Sequence, residues 1–372
     1  MKVLLNGSPT SLLQLMSAQS FAGDTNAALN TFSELVRMGQ SNENLLQLPQ
    51  FGALREDPRF PAIHSQMVAN TRSVSHAMIA FSLKDSGLNP EDIDFDPATR
   101  LFYITSVLEK KILAVDMSGS ARVFALAPDA WPMMAIKVDR PHHVLWATEV
   151  ALEGYDLAPK EHWGKSAILI YDLKTHKLLH RIAGPAKSAL GDMTLTADGD
   201  AIVSDGDGGG VYRVNCKTLT IERLDAGEFI SPQTPAMSTQ GNSVFTPDYV
   251  RGIGILDLGT RHVAWIPMRG TYALSGIDGL YLDGHTLIAT QNGTSPERVI
   301  QFGLDASLAQ VTSESIIERS TPTLGDPTHG VIVDGTFYYI ANSGWDTLDD
   351  HGHRKPNAKP TPALIMKVRL HN

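Results

Sequence analysis

Glu91-Asp92, Gly191-Asp192, Gln233-Thr234, Asp278-Gly279 and His329-Gly330 each stand just ahead of a short apolar segment, and Met133-Met134 holds the corresponding place in a sixth. Carboxylate, amide and imidazole groups that converge away from water must be neutralised, protonated or bound to a cation, because their mutual repulsion in a low dielectric is large. An oxygen-rich set of this kind suits Ca²⁺ or Mg²⁺, with Mn²⁺ and Zn²⁺ as alternatives. The same groups can instead hydrogen-bond inner-strand backbone and a few trapped waters. Either outcome needs an architecture that brings these distant stretches to one axis.

The chain from residue 75 onward supplies it. A short alternating strand, a polar turn, a second apolar strand ending in a small polar residue, and a third strand recur six times. The first copy is Ile93 to Phe95, Leu101 to Thr105 and Ile112 to Asp116; the last is Val331 to Val333, Phe337 to Ala341 and Leu364 to Leu370. Asp198-Gly199, Gln240-Gly241, Asp283-Gly284 and Asp334-Gly335 are hairpin turn signals at the places where the copies need them. The sixth copy runs out of chain after its third strand, and Met78 to Leu83, stranded before the first copy, is the natural replacement. A ring closed in that way leaves no open sheet edge. The reading is mainly β: a six-bladed β-propeller over residues 73–372, with the residues just before each innermost strand facing the central channel.

Residues 1–72 read differently. Leu12, Leu13, Leu15 and Met16 recur at helical spacing, and Gly23-Asp24-Thr25 breaks the chain. Asp24 or Thr25 can then cap a second helix that runs to Gly39. With Pro58 opening a last helix, this small α-helical extension looks like one tetratricopeptide-type unit. One repeat cannot bury its own apolar face, so it is expected to dock on the propeller, as a structural cap or as a groove for a protein partner.

Composition narrows the function. The 372 residues carry 31 Gly and 21 Pro, which favours many short strands over a few long helices. A net charge of −9 without a basic stripe argues against nucleic acid and anionic membrane and leaves a small-molecule substrate as the expected partner. Cys216 is the only cysteine, which rules out an internal disulfide and a thiolate cluster. The opening Met1-Lys2-Val3-Leu4-Leu5-Asn6 has an apolar run short of the ~7–15 residues of a signal h-region, so the chain as written reads as cytoplasmic. A chain that starts upstream would read as periplasmic.

Pro90-Glu91-Asp92-Ile93-Asp94-Phe95-Asp96 with Thr105-Ser106-Val107 resembles the opening blade of the gluconolactonase/regucalcin superfamily, which includes paraoxonases and diisopropyl fluorophosphatase. Ser275-Gly276-Ile277-Asp278-Gly279-Leu280-Tyr281 with Gln291-Asn292-Gly293 resembles its fifth blade, and Pro327-Thr328-His329-Gly330 with Tyr338 to Ser343 its sixth. The resemblance covers about residues 75–372. It implies a catalytic divalent cation, usually Ca²⁺, held by a Glu of the first blade, Asn residues of middle blades and an Asp of the fifth. Glu91 and Asp278 match that pattern, Gln233 stands where an Asn is usual, and Gly191 stands where another Asn is expected. Asp192 can substitute there, or pair with Asp92 around a second, structural Ca²⁺. His329 resembles a channel histidine of the fluorophosphatase.

The function expected on these grounds is metal-dependent hydrolysis of a lactone or related ester. Asp278 serves as ligand and general base, and His329 orients substrate or shuttles the proton. Two other readings stay open: a non-catalytic propeller that binds a ligand or partner, and a metal-free enzyme of the strictosidine-synthase type in which Glu91 handles a proton. His142-His143 and His351 to Lys355 are expected in solvated loops, and Asp205 to Gly210 in a tight turn. Trp131, Trp163, Trp265 and Trp345 fall near blade ends, where they can wall a pocket or pack blades together.

Overall fold

The computed structural model describes residues 7–370, and the Met1–Asn6 run behind the compartment expectation lies outside them. Six antiparallel sheets form a six-bladed β-propeller, each running from the channel outward. Blade 1 is Pro90–Asp96, Leu101–Ser106, Lys111–Val115 and Ala121–Leu126. Alternation packs one face of each sheet on the next blade. The side chains Tyr103, Ile112 and Phe124 of blade 1 meet Ile136, Leu145 and Leu169 of blade 2 in one buried cluster. Burying each large side chain of this kind is worth about 1.5–3 kcal/mol.

The ring closes as the missing sixth-copy strand requires. Met78–Ser82 pairs antiparallel with Leu364–Arg369, with Met78 opposite Lys367 and Ser82 opposite Leu364. Phe81 on this strand packs 5.2 Å from Phe102 of blade 1, which lies 5.1 Å from Tyr338 of blade 6, so one aromatic cluster fastens the seam. Val74–Ser75 adds a fifth strand to the outer edge of blade 5 through Val74 and Arg319.

In blades 1, 3 and 5 the small polar residue near the end of the second strand joins its blade to the next. Thr105 Oγ1 accepts from Asp92 N at 2.9 Å and donates to the carbonyl of Met134 in blade 2 at 2.6 Å. Thr290 Oγ1 accepts from Gly279 N at 2.8 Å and donates to the carbonyl of Thr328 in blade 6, and Ser204 Oγ donates to Gln233 O at 2.8 Å. A hydroxyl suits this position because it donates and accepts at once.

The extension begins with α1 (Pro9–Phe21), capped by Ser8, and α2 (Thr25–Arg37), capped by Asp24. Short helical turns lead to α3 (Phe60–Ala69). Leu12, Met16, Phe32, Val36 and Phe51 form the buried core of this segment, completed by Ala273 of the propeller. Gly7 O accepts from Leu274 N at 2.8 Å, and the backbone of Gly7 has φ +67. A Cβ at Gly7 would sit 2.7 Å from Leu274 N, so the contact needs glycine. Arg298 of blade 5, 1% exposed, donates Nε to Gln291 Oε1 at 2.7 Å and Nη1 to Met38 O at the end of α2 at 3.3 Å. Among the described residues no helix is long and apolar enough to cross a membrane.

Candidate functional site

The inner strands of blades 1, 2 and 3 each carry a bulge at the channel end, between Pro90 and Ile93, Met133 and Ile136, and Leu190 and Asp192. A bulge inserts one unpaired residue and re-aims the side chains beside it. Here the irregularities fall on Glu91-Asp92, Met134-Ala135 and Gly191.

Asp192, Asp278 and His329 are brought together, with one donor atom from each lying within 4.8 Å of the others. His329 is 1% exposed, Asp192 5% and Asp278 7%. His329 Nδ1 donates to the carbonyl of Glu91 at 2.7 Å, and Nε2 donates to Asp192 Oδ1 at 2.6 Å, with Asp278 Oδ1 at 3.6 Å. Thr234 Oγ1 donates to the same Asp192 oxygen at 2.7 Å. Asn292 Nδ2 donates to Asp278 Oδ2 at 2.8 Å and is itself fixed by Tyr249, whose hydroxyl donates to Asn292 Oδ1 at 3.0 Å. The side chain of Glu91 accepts from Trp345 Nε1 at 2.6 Å.

The electrostatics follow from burial and crowding. Burial pushes the Asp278 carboxyl up to about 6; the His329 charge opposes the rise and Asp192 adds to it. Burial, then the Asp278 charge, also holds Glu91 well above the ordinary carboxylate range. Burial alone would lower the His329 imidazole, but Asp278 and Asp192 outweigh it and hold the ring well above its usual value. A bound cation would relieve the carboxylate crowding. Two carboxylates and an imidazole are a chemically suitable donor set, so the group could hold a metal.

The other expected ligands lie elsewhere. Asp92 is turned to blade 2: Oδ2 accepts from Lys137 Nζ at 2.6 Å and Ile136 N at 2.8 Å, and Oδ1 from Ile93 N at 2.8 Å. Paired in this way with Lys137, it is not among the three grouped residues. Gln233 is half-buried and donates Nε2 to Ser231 Oγ at 3.1 Å and Ser231 O at 3.3 Å. Its Nε2 is held within its own loop, and Gln233 is not among the three grouped residues. Gly191 contributes no side chain.

Sequence reasoning gave no role to Asn292, Tyr249 or Thr234. Asn292 carries a signal, since it directly follows the second strand of blade 5 (Thr286–Gln291) and therefore opens a loop at the channel end. Trp345, left between two roles, seals Glu91 and packs with Val107, Met134 and Leu157. His143, His351 and His353 are exposed, and His142 rests half-exposed on Asp139, as expected of loop histidines. Asp205 closes its turn by accepting from Gly208 N at 2.7 Å.

No protein-family model matches the sequence, and no curated protein sequence matches it. Solved structures do match in fold. A gluconolactonase from Xanthomonas campestris is 15% identical over 77% of this chain and 88% of its own, with a TM-score of 0.54. A PQQ-bound aldose sugar dehydrogenase from Streptomyces coelicolor is 11% identical over 80% and 98%, with a TM-score of 0.55. A virginiamycin B lyase from Staphylococcus aureus is 14% identical over 73% and 82%, with a TM-score of 0.51. The chain is a six-bladed β-propeller with an N-terminal helical segment, similar in fold to proteins named for three different chemistries. Fold alone does not choose among them.

Proposed function

We propose that this propeller is a divalent-cation-dependent hydrolase of a lactone or related ester. The observation that carries the reading is the convergence of Asp192, Asp278 and His329 from three blades on one buried point of the channel. The gluconolactonase neighbour supports it at the level of fold.

Asp192, Asp278 and His329 are the residues that would hold the ion. An imidazole among two carboxylates favours Mn²⁺ or Zn²⁺ over Ca²⁺, which takes about 6–8 oxygens. A bound cation of this class polarises an acyl carbonyl and lowers the pKa of water. Asp278, poised by burial and oriented by Asn292, takes the proton of the attacking water as the oxygen–acyl bond forms. Glu91, kept protonated by burial beside Asp278, gives a proton to the leaving oxygen as the acyl–oxygen bond breaks. Nδ1 of His329 is committed to the Glu91 carbonyl, so Nε2, once it has lost its proton, is the atom that would hold the ion. Trp345 covers Glu91 and keeps bulk water out.

The second reading is a metal-free channel enzyme or binding propeller. It is favoured by one observation: His329 and Asp192 already satisfy each other as an ion pair. Metal analysis of the purified chain, followed by a lactone and ester panel, tests the proposal. About one equivalent of metal, turnover lost in chelator and turnover lost in Asp278→Ala are expected. Full activity in Asp278→Ala ends the proposal; metal-free protein with chelator-independent melting favours the second reading.

A further inference from the structure

A cavity of about 310 Å³ lies between the helical segment and blade 5. Its apolar wall is built from Leu13 and Met16 of α1, Phe32 and Val36 of α2, and Leu45 and Met67 farther along. Its opposite wall is the Asn292–Ser295 loop, with Gln40, Ser41 and Asn42 at the seam. Among the described residues, nothing in the lining carries a formal charge. The volume is about twice the ~150 Å³ of a dry cavity that takes up benzene. It therefore matches a two-ring aromatic or medium alkyl group and is too small for a folded partner's helix and its flanks.

Two features tie this space to the channel. Asn292 lines the cavity and donates to Asp278 Oδ2 at 2.8 Å, so a single side chain separates the apolar space from the buried carboxylates. The helical side is also firmly fixed to that loop: Ser41 N donates to Ser295 O at 2.5 Å, and Ser295 Oγ donates to Ser41 O at 2.6 Å. Small-molecule sites have this form, largely apolar with a few neutral polar groups at one end. A charged ligand would lose its hydration with nothing here to replace it.

We propose that the helical segment and blade 5 together form a binding site for the apolar part of an uncharged amphiphile, whose polar head points towards Asn292. The helical segment is then part of the ligand site and sets specificity. The link to catalysis rests on the hydrolase reading above; the binding site itself does not.

The test uses the full chain and a matched pair of probes that cannot be hydrolysed: neutral 2-acetylnaphthalene and charged 2-naphthoate. Titration calorimetry should show the ketone binding at least about tenfold more tightly than the carboxylate. Leu45→Trp and Leu13→Trp, two half-buried wall positions, fill the cavity and should each weaken the ketone about tenfold or more. Unchanged circular dichroism and melting identify the variants that remain folded; having two keeps the comparison available if one does not. Equal binding of both probes, no binding of the ketone, or wild-type affinity in a folded filled variant overturns the proposal. An independent assay with 2-naphthyl acetate and phenyl acetate separates the two readings. Ketone binding that obeys the variants without any ester turnover sinks the hydrolase and leaves the site standing. Turnover of both esters with no effect of Leu45→Trp on their ratio overturns the segment's role in specificity and leaves the hydrolase.

Discussion

His329 Nε2 lies 2.6 Å from Asp192 Oδ1, while the opposite ring nitrogen is committed to the carbonyl of Glu91 at 2.7 Å. Both partners can only accept, so the ring carries both protons and the pair is an imidazolium–carboxylate. That one positive charge faces the carboxylates of Asp192 and Asp278 together, and it does not balance them. The excess negative charge in a buried channel governs how the molecule responds to pH and to cations.

The pH response has a definite sign. Asp278 titrates near 6 in the folded chain and near 3.9 when unfolded, so between those values the folded state holds a proton that the unfolded state has lost. Its stabilising contribution is full below about pH 4 and is lost as pH rises through about 6. Asp278→Asn removes this titration. Metal-free variant and wild type should melt alike at pH 4, and the variant should be the more stable at pH 7 by as much as about 3 kcal/mol. Thermal melts of both proteins across that range check it. A difference that does not grow with pH means Asp278 is not held in this crowded state.

Adding a divalent ion should reverse that loss. Mn²⁺ or Zn²⁺ is expected to raise the melting temperature at pH 7, and binding should weaken as pH falls because His329 must give up its Nε2 proton to become a ligand. Asp192→Asn and Asp278→Asn should abolish the shift. Asp92→Asn, which breaks the buried pair with Lys137, should lower the starting stability by about 3–5 kcal/mol yet keep the ion-induced increment. Loss of the increment in Asp92→Asn would place Asp92 at the ion after all.

Gly191 is an opportunity for gain of function. A Cβ built there meets only the Ala189 carbonyl, at 3.8 Å, and its φ lies outside the left-handed region, so a side chain is sterically admitted. Gly191→Asn adds a carboxamide beside Asp192 at the channel. It should tighten divalent-ion binding about tenfold, equivalent to about 1.4 kcal/mol. Competition titration against a fluorescent chelator measures this; unchanged or weaker binding would mean that the ion does not approach blade 3.

What the sequence revealed and what it hid have the same physical origin. Alternation and turn chemistry are local, so the six blades were legible, and so was the role of Met78–Ser82, because the last copy visibly lacked a strand. The hydroxyl ending the second strands was legible as a pattern, although its partner in the next blade was not. Glu91 and Asp92 are adjacent, and a bulge falls on this pair between Pro90 and Ile93. A one-residue irregularity exchanges the two faces of a strand and leaves no mark in residue type. Gln233 carries the right amide, but its Nε2 hydrogen-bonds Ser231 in the same loop, a contact that residue type does not announce. Trp345 sits in a long loop whose path depends on contacts remote in sequence, so its seat on Glu91 was out of reach.

Arg298 tests whether the helical segment is mechanically part of the propeller. It is fully buried, burial pulls its guanidinium down to about 10, and its Nη2 makes no hydrogen bond. Such a residue is costly to bury, and what it contributes is position. Nε fixes Gln291, which donates to the carbonyls of Ala273 and Ser275, and Nη1 caps the end of α2 at Met38. Arg298→Ala leaves Gln291 Oε1 without its donor and opens a cavity, and should cost about 3–5 kcal/mol. Arg298→Met refills the space, removes the unpaired nitrogen and should cost markedly less in overall stability. Both variants lose the cap on α2, so amide exchange in its last turn should accelerate in both, while exchange in the Leu101–Ser106 strand of blade 1 stays slow. Exchange that rises together in α2 and blade 1 would show that the helices and the blades open as one unit, and that Arg298 is not the fastening between them.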